Sequence, residues 1–458
     1  MMEWIRKINA VVWGIPTLIL IVGVGVILTM LTHFAQFRLL PQALKRFLSG
    51  DKNTEITNGE SPFRALCTAL AATVGTGNLA GIAGAIAIGG PGAVFWIWIG
   101  GILGMITKCA EAILSVHYRI KDSSGNYIGG PMYVIVNGLP HKYRILAVIY
   151  ALFGVIAAFG VGNATQINTL IGGLNSAISY CGYAPSMEGN VIIGILCAIL
   201  VAILLFGGAK RIGAAAESLV PFASAAYIFL GIGVLVLRFD MIPAAFTSIF
   251  RGAFSPSAVT GGVIGSAFVT LRIGASRGVF TNEAGMGTAG IAHAAANVEH
   301  PVQQGLMGIV EVFIDTIVIC TITALVILCS AVPIAYGEDI GILLTAQAFA
   351  SVYGGWVTIV LSAVLCCFAF ATILGWGLYG ARCAQFLFGE KAWGIFVILQ
   401  AVTVVVGAVL NTQTIWLLAD TVNGLMAIPN LTAIIFLLPV AVRLIRDYET
   451  RDYEKTKE

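Results

Sequence analysis

Uncharged apolar runs recur along the whole chain and limit what it can fold into. Of its 458 residues, 58% are apolar and only 10% are charged, whereas about a quarter of a soluble globular protein is charged. This composition excludes a soluble enzyme. Because a helix of about 20 apolar residues crosses the hydrocarbon of a bilayer, the sequence predicts an all-α polytopic protein embedded in lipid. The small net charge of +3 gives no reason to expect nucleic acid as a partner.

A hydropathy window of about 19 residues predicts about eleven transmembrane helices. They cover approximately residues 11–31, 62–89, 93–117, 145–171, 191–206, 214–237, 257–295, 302–332, 352–383, 393–410 and 415–442. The first run is too long for a signal-peptide core and lacks a cleavage site, so we expect it to remain as an anchor helix. A further surface helix is expected around residues 343–349.

Lysine and arginine are distributed unequally between alternate loops. One set of loops holds most of them, whereas the other has only Arg6, Lys7, Arg238 and Arg251. Positively charged loops stay on the cytoplasmic side. The distribution therefore predicts a cell-membrane protein with a cytoplasmic C-terminus and, given an odd number of spans, an external N-terminus.

Two of the predicted spans contain glycine-rich polar stretches that weaken a helix. The first stretch runs from Thr73 to Asn78, and the second comprises residues 274–278 and 281–287. Polar, irregular backbone persists inside a membrane only where protein buries it or where it lines a cavity. Close packing of helices through small residues is the competing explanation for the glycines.

The positions of the two breaks suggest an internal repeat. With the anchor helix set aside, the breaks fall in the first and sixth of ten spans, so each opens a half of five helices. Because five is odd, the halves have opposite orientations. The predicted domains are an anchor helix and loop (1–61), two five-helix repeats (62–240 and 241–442) and a C-terminal tail (443–458). An inverted repeat with broken helices is typical of a secondary transporter.

A helix broken in mid-membrane can bind both ions and zwitterions. It exposes amide N–H groups at one half-helix and carbonyls at the other, which suit a carboxylate and Na⁺ respectively. Side-chain oxygens of Thr73, Thr76 and Asn78 are candidates to complete the shell of such a cation.

Several motifs resemble those of one transporter family. Residues 89–98, GGPGAVFWIW, are similar to the signature of the alanine or glycine:cation symporter family, which usually has Met where Ile97 stands. The stretches TNEAGMG (281–287), VGTGN (74–78) and WGLYG (376–380) resemble its other blocks. The resemblance implies a leucine-transporter-like fold and sodium-driven uptake of alanine or glycine, with glutamine taken by some members.

The resemblance also implies binding residues. Substrate is expected to bind at Gly75, Thr76, Gly77, Asn163, Gln166, Gly274, Gly278 and Trp376. Sodium, the coupling ion, is expected at Ala71, Thr73, Val74, Asn78, Ala369 and Thr372, and no other cofactor is expected. Arg277 and Glu283 are expected to form a gate or an ion pair.

Some of these residues have alternative interpretations. Trp376 and Gln166 also suit interhelical packing, and Lys108 with Glu111 suits a structural ion pair because three residues separate them on a helix. Glu311 and Asp315 share a helix face, either near a cation path or in a buried polar network. At the level of function, a proton-coupled permease of the same fold and a channel are the alternatives, and the oligomeric state is left open.

Overall fold

The structure is a computed structural model that describes residues 2–49, 59–338, 341–410 and 413–455. These residues form a bundle of helices with one short β-hairpin, in which β1 (Ile120–Lys121) pairs antiparallel with β2 (Tyr127–Ile128). The helices are α1 (Met2–Val12), α2 (Ile15–Leu31), α3 (Ala35–Arg38), α4 (Leu40–Ser49), α5 (Pro62–Thr73), α6 (Ile82–Gly89), α7 (Ala93–His117), α8 (Pro131–Gly138), α9 (Arg144–Phe159), α10 (Thr165–Tyr180), α11 (Met187–Phe206), α12 (Gly208–Leu237), α13 (Ile242–Phe254), α14 (Ala267–Asn282), α15 (Thr288–His293), α16 (Pro301–Val312), α17 (Thr321–Cys329), α18 (Ile342–Tyr353), α19 (Val357–Phe388), α20 (Ala392–Gly407) and α21 (Gln413–Lys455).

The all-α polytopic fold class is confirmed. Among the described residues, eight helices are long and apolar enough to cross a membrane, and the bent pair of α5 with Gly77–Gly89 makes nine. The two remaining predicted spans correspond to the interrupted pair α14 and α15 and to α20, which has 16 residues. The division of the chain into domains at residues 62, 241 and 443 stays a prediction, and α21 continues through residue 443 without interruption.

The first predicted break is present between α5 and α6. Ser61 caps α5 by accepting a hydrogen bond from the backbone N–H of Arg64 at 3.1 Å, and Pro62 occupies the first turn. The helix ends at Thr73 because Val74 is extended, with ψ 105°. A π-helical turn, Gly77–Gly81, then leads into α6, and the two halves are bent by 50°.

The second break lies at residues 283–287, between α14 and α15. Glu283 adopts a left-handed conformation with φ +54°, and Gly285 and Gly287 have φ of +94° and +77°, which glycine tolerates best. The prediction that the break includes residues 274–278 is wrong, because these residues lie within the continuous helix α14. A side chain on Gly274 would collide with the backbone of Ala93 on α7, so the small residues there allow close helix packing.

Two long helices stand on either side of the breaks. α7 packs against α14, α15 and α16, whereas α19 packs against α5, α9, α10 and α12. Beside this core, α21 packs against α1, α2 and α9. The breaks are therefore enclosed by protein, as irregular backbone within a membrane requires.

Several elements connect the spans. The expected surface helix is present as α18, and α4, α8, α13 and the hairpin were not predicted. One face of the bundle, called here the basic side, is formed by the hairpin, α8 and residues 59–61 and 294–300. It is named after Arg119, whose guanidinium donates to the carbonyls of Ala294 and Ala296 at 3.0 and 2.5 Å.

Two adjacent glycines of α7 test the packing of this helix. A Cβ on Gly101 would lie 2.7 Å from Cγ2 of Thr316, whereas a Cβ on Gly100 would have nothing within 4 Å. We expect Gly101→Ala to lower the free energy of unfolding by about 1–3 kcal/mol through overpacking, and Gly100→Ala to leave it unchanged or slightly raised. Thermal unfolding of the purified variants in detergent measures this, and equal melting temperatures for both variants would contradict it.

Candidate functional site

The side chain of Asn78 stabilises the first break. The side-chain oxygen of Asn78 accepts a hydrogen bond from the backbone N–H of Gly75 at 2.9 Å. Asn78, Gly75 and the neighbouring Thr76 and Gly77 are all buried. The asparagine replaces a helical partner for this amide, so the Gly75 N–H is satisfied within the break.

Helix α19 faces the first break through a hydroxyl. A Cβ on Gly75 would lie 2.7 Å from the Oγ1 atom of Thr372 and 4.0 Å from the Oε1 atom of Gln166. Thr372 donates its own proton to the carbonyl of Phe368 at 2.9 Å, so its lone pairs remain available to a cation. The Thr76 hydroxyl donates to Oε1 of Gln166 at 3.1 Å.

The remaining expected sodium ligands lie at the same contact. Ala71, Val74 and Ala369 are fully buried, and α5 approaches α19 so closely that a Cβ on Gly375 would lie 3.0 Å from the backbone nitrogen of Ala72. The Thr73 hydroxyl donates back to the carbonyl of Ala69 at 3.3 Å. Thr73 is therefore oriented towards its own helix.

Trp376 joins α19 to the second break. Its indole is fully buried, and its Nε1–H donates to Oε1 of Glu283 at 3.0 Å. The ring contacts Gly162, where no Cβ would fit. Trp376 follows Thr372 by one helical turn, and Gln166 follows Gly162 by one turn, so these four residues form one surface beside Gly75.

The second break is bound by the carboxylate of Glu111 on α7. One oxygen, Oε1, accepts from the backbone N–H groups of Gly285 and Gly287 at 2.9 and 3.0 Å and from the amide of Asn430 at 2.7 Å. The ion pair that was predicted between Lys108 and Glu111 is therefore wrong. The Nζ atom of Lys108 lies 3.3 Å from Glu311 on α16 instead.

The expected ion pair between Arg277 and Glu283 is not formed. The two oxygens of Glu283 accept from Trp376 and from the hydroxyl of Thr288, the latter at 2.5 Å, and within the described part of the chain no salt bridge joins Glu283 to Arg277. Arg277 is half-buried on α14. Its role as a gate stays a prediction.

A chain of side chains connects the two breaks. The amide of Asn78 donates to Oδ1 of Asp315 at 2.7 Å, and the hydroxyl of Thr316 donates to Oδ2 at 2.8 Å. The same hydroxyl accepts from the side chain of Asn282, at the end of α14, at 3.1 Å. Asn282 was not assigned to the site from the sequence. Asp315 was expected either near a cation path or in a buried polar network, and these bonds place it in a buried polar network beside the first break. A carboxylate within an apolar span was the available signal, because such residues are costly in lipid unless they have a function or a partner.

The structure brings together only part of the expected substrate site. Gly75, Thr76, Gly77, Gln166 and Trp376 lie at or beside the first break, and a Cβ on Gly77 would lie 3.5 Å from the Phe280 ring. Gly274 and Gly278 face α7. Asn163 donates to the carbonyl of Gln400 on α20 at 2.8 Å, which directs its amide away from the break.

On the basic side, the backbone of Glu60 is bonded to residues 295 and 297. Its backbone N–H donates to the carbonyl of Ala295 at 2.9 Å, and its carbonyl accepts from Asn297 at 2.7 Å. Burial raises the pKa of the Glu60 carboxyl to about 7, although Arg64 and Arg382 act in the opposite direction. A cavity of about 350 Å³ lies beside it and is also lined by Asp122 and Arg382.

Comparison with solved structures defines the class of fold. The chain resembles MhsT in complex with L-phenylalanine, with a TM-score of 0.58 and 14% sequence identity, over 85% of this chain and 98% of that one. The protein thus has the leucine-transporter fold that the resemblance of its motifs implies.

The family follows from the sequence comparisons. The model of the sodium:alanine symporter family matches residues 1–458, and the chain belongs to this family. The sodium/alanine symporter AgcS of Methanococcus maripaludis is 41% identical, over 96% of this chain and 95% of the relative. The probable sodium/glutamine symporter GlnT of Bacillus subtilis is 36% identical, over 96% and 89%. The protein is therefore a multi-pass membrane transporter and not an enzyme.

Two glycines of the first broken helix test its contact with α19. Gly75→Ala would place a methyl group 2.7 Å from the Thr372 hydroxyl, whereas Gly81→Ala would meet only Cγ2 of Thr281 at 4.0 Å. We expect Gly75→Ala to weaken sodium-dependent binding of alanine at least tenfold, which corresponds to about 1.4 kcal/mol, and Gly81→Ala to bind nearly normally. Equilibrium binding of labelled alanine across a sodium titration measures both, and normal binding by Gly75→Ala would exclude this contact from the site.

Proposed function

We propose that the protein is a secondary active transporter that couples the entry of Na⁺ to the uptake of alanine or glycine by alternating access. Glutamine is a further candidate substrate, since the name of GlnT assigns glutamine to that relative. The proposed orientation places the basic side in the cytoplasm, with the C-terminus cytoplasmic and the N-terminus outside. Membership of the sodium:alanine symporter family supports sodium coupling and an amino-acid substrate.

The observation that carries the proposal is the contact between the first break and Thr372. Here the irregular backbone from Val74 to Gly77 lies against a hydroxyl whose proton is already donated to Phe368. Such an oxygen, with backbone carbonyls beside it, suits an alkali cation. The N-terminal end of the half-helix that follows the break suits the carboxylate of an amino acid.

The walls of the site favour a small substrate. Trp376 is immobilised by its bond to Glu283 and by its contact with Gly162, and the Phe280 ring lies close to Gly77. Two buried aromatic rings leave little depth for a side chain, because a packed interior resists displacement. Alanine and glycine fit this environment with the least rearrangement.

Asp315 is proposed as an additional determinant of cation binding. It is fully buried and receives hydrogen bonds from Asn78 and Thr316. Since a carboxylate in an apolar interior is stabilised by a nearby cation, sodium bound close to Asn78 would be attracted by this charge. Asn78 would then connect a cation site to Gly75 in the first break.

Uptake of labelled alanine into proteoliposomes tests the proposed function. An inward Na⁺ gradient should drive accumulation, and equal K⁺ should not. One Na⁺ moving down about 100 mV releases roughly 2.3 kcal/mol, and a tenfold gradient adds about 1.4 kcal/mol. The expected accumulation of alanine is therefore several hundredfold at most for one ion. Accumulation driven only by protons would indicate a proton-coupled permease, and equilibration in every salt would indicate a channel or uniporter.

Two substitutions test the cation site near Asn78. Asn78→Ala and Asp315→Asn should each raise the sodium concentration for half-maximal uptake about tenfold, equivalent to about 1.4 kcal/mol. Asn78→Ala should also weaken alanine binding, because the Gly75 amide loses its partner. Asn137→Ala is the matched control, since Asn137 is exposed on α8 and its side chain donates to the Tyr118 carbonyl at 2.8 Å, outside the first break. An unchanged sodium titration in Asn78→Ala would remove Asn78 from the cation site.

A further inference from the structure

A buried group of three titratable side chains lies between the second break and the basic side. Lys108 contacts Glu311 at 3.3 Å, and the other oxygen of Glu311 lies 2.9 Å from Nε2 of His293 on α15. All three side chains are fully buried. Neither the proposed substrate site nor the proposed sodium site uses them.

The second ring nitrogen of His293 leads to the start of the first broken helix. Nδ1 lies 2.7 Å from Nε2 of Gln304, and the same Nε2 lies 3.4 Å from the backbone carbonyl of Pro62, the first residue of α5. The side chain of Gln304 thus bridges the imidazole and the end of α5.

This bridge determines which ring nitrogen of a neutral imidazole carries the proton. The Pro62 carbonyl can only accept, so the Gln304 atom that faces it is the amide nitrogen, a donor. The same nitrogen faces Nδ1, which must therefore accept and carry no proton. In the neutral form of His293, the single N–H therefore lies on Nε2 and is directed at Glu311.

Protonation of His293 would reverse this arrangement. Nδ1 would become a donor, and the Gln304 amide would have to turn its oxygen towards it. That oxygen would then face the Pro62 carbonyl, and two acceptors cannot form a hydrogen bond. The contact between Gln304 and α5 would be lost, while Glu311 would stabilise the imidazolium.

We propose that His293 is a proton-binding positioning residue whose protonation releases the basic-side end of α5 and so speeds the opening of the transporter on that side. This inference rests on the proposed function. The proton enters the His293 imidazole and leaves it again on the same side, so it is a ligand and does not need to cross the membrane.

Other titratable groups surround His293 and bear on its test. Glu311 on α16 contacts His293 directly. The other groups lie in the second break or on helices that pack against α15: Glu283; Lys108, Cys109 and Glu111 on α7; Cys67 and Arg64 on α5; Tyr133 on α8; and Tyr379 and Cys383 on α19. Glu60 requires a control of its own, because its pKa is raised to about 7 and its backbone is bonded to residues 295 and 297 beside α15.

The first experiment measures sodium-driven alanine uptake with the same pH on both faces of the proteoliposome, so that no proton gradient exists. The wild-type initial rate should rise about fivefold between pH 8 and pH 6, the change expected when one hydrogen bond that restrains α5 is lost. His293→Gln should give a flat profile at the wild-type pH 8 rate. A glutamine can accept from Gln304 and donate to Glu311, as neutral histidine does, but cannot gain a charge.

Two matched variants separate His293 from its surroundings. His117→Gln removes an exposed histidine at the end of α7 and should keep the wild-type slope, as should Glu60→Gln. A wild-type rate that does not change with pH, a slope retained in His293→Gln, or a slope abolished in Glu60→Gln would each overturn the proposal.

A second measurement needs neither transport nor a variant of His293. Hydrogen exchange of the α5 amides, corrected for the chemical exchange rate, should be faster at pH 6 than at pH 8 in the wild type, while the amides of α12 should not change. Equal protection of α5 at both pH values would overturn the inference. If no sodium-driven uptake occurs at any pH, the proposed function fails and the exchange result still decides this question.

Discussion

The hydrogen bonds from Gly285 and Gly287 to one oxygen of Glu111 are the interaction on which this architecture most depends. A break in a transmembrane helix exposes amides to an environment without water, where each unsatisfied group costs several kcal/mol. Glu111 accepts both amides, and Asn430 of α21 donates to the same oxygen and also to the carbonyl of Gly285. Helices α7 and α21 thus supply the hydrogen-bond partners that the broken helix lacks. The left-handed turn at residues 283–287 can therefore persist inside the membrane.

In the first break, a residue of the same helix satisfies an exposed amide, and its side chain also connects this break to the second one. Asn78 accepts from Gly75 with its oxygen and donates to Asp315 with its nitrogen, so one side chain both stabilises the break and links it to α16 and α17. From Asp315 the contacts continue through Thr316 to Asn282, at the edge of the second break. Because these contacts are direct and buried, a ligand that shifts Asn78 changes the environment of Asn282 through physical contact.

Local sequence chemistry predicted the membrane-spanning helices and the presence of two breaks. Contacts with other helices, which the local sequence does not reveal, determine the extent of the second break and the partners of the charged residues. Glycines and β-branched residues around Gly75 indicated the first break, and the resemblance placed Thr372 beside it. Spacing alone paired Lys108 with Glu111, since residues three apart share a helix face. In the structure, Lys108 instead pairs with Glu311, which lies about 200 residues away in sequence. Glu111 accepts hydrogen bonds from the backbone of the second break. Gly274 and Gly278 were placed in the break because small residues serve both close packing and irregular backbone, and only the position of α7 distinguishes these uses.

The bond between Asn78 and Asp315 spans 237 residues of sequence, and this separation has a consequence for biosynthesis. When the first broken helix is synthesised, the residue that will receive the amide of Asn78 does not yet exist. The same holds for Gln304, which contacts Pro62 across 242 residues. The first half of the chain therefore contains polar groups that lipid cannot satisfy until much of the second half has been made. Stable release of the early helices into the bilayer should be delayed until residues 301–320 emerge, so that the two halves enter their final environment together.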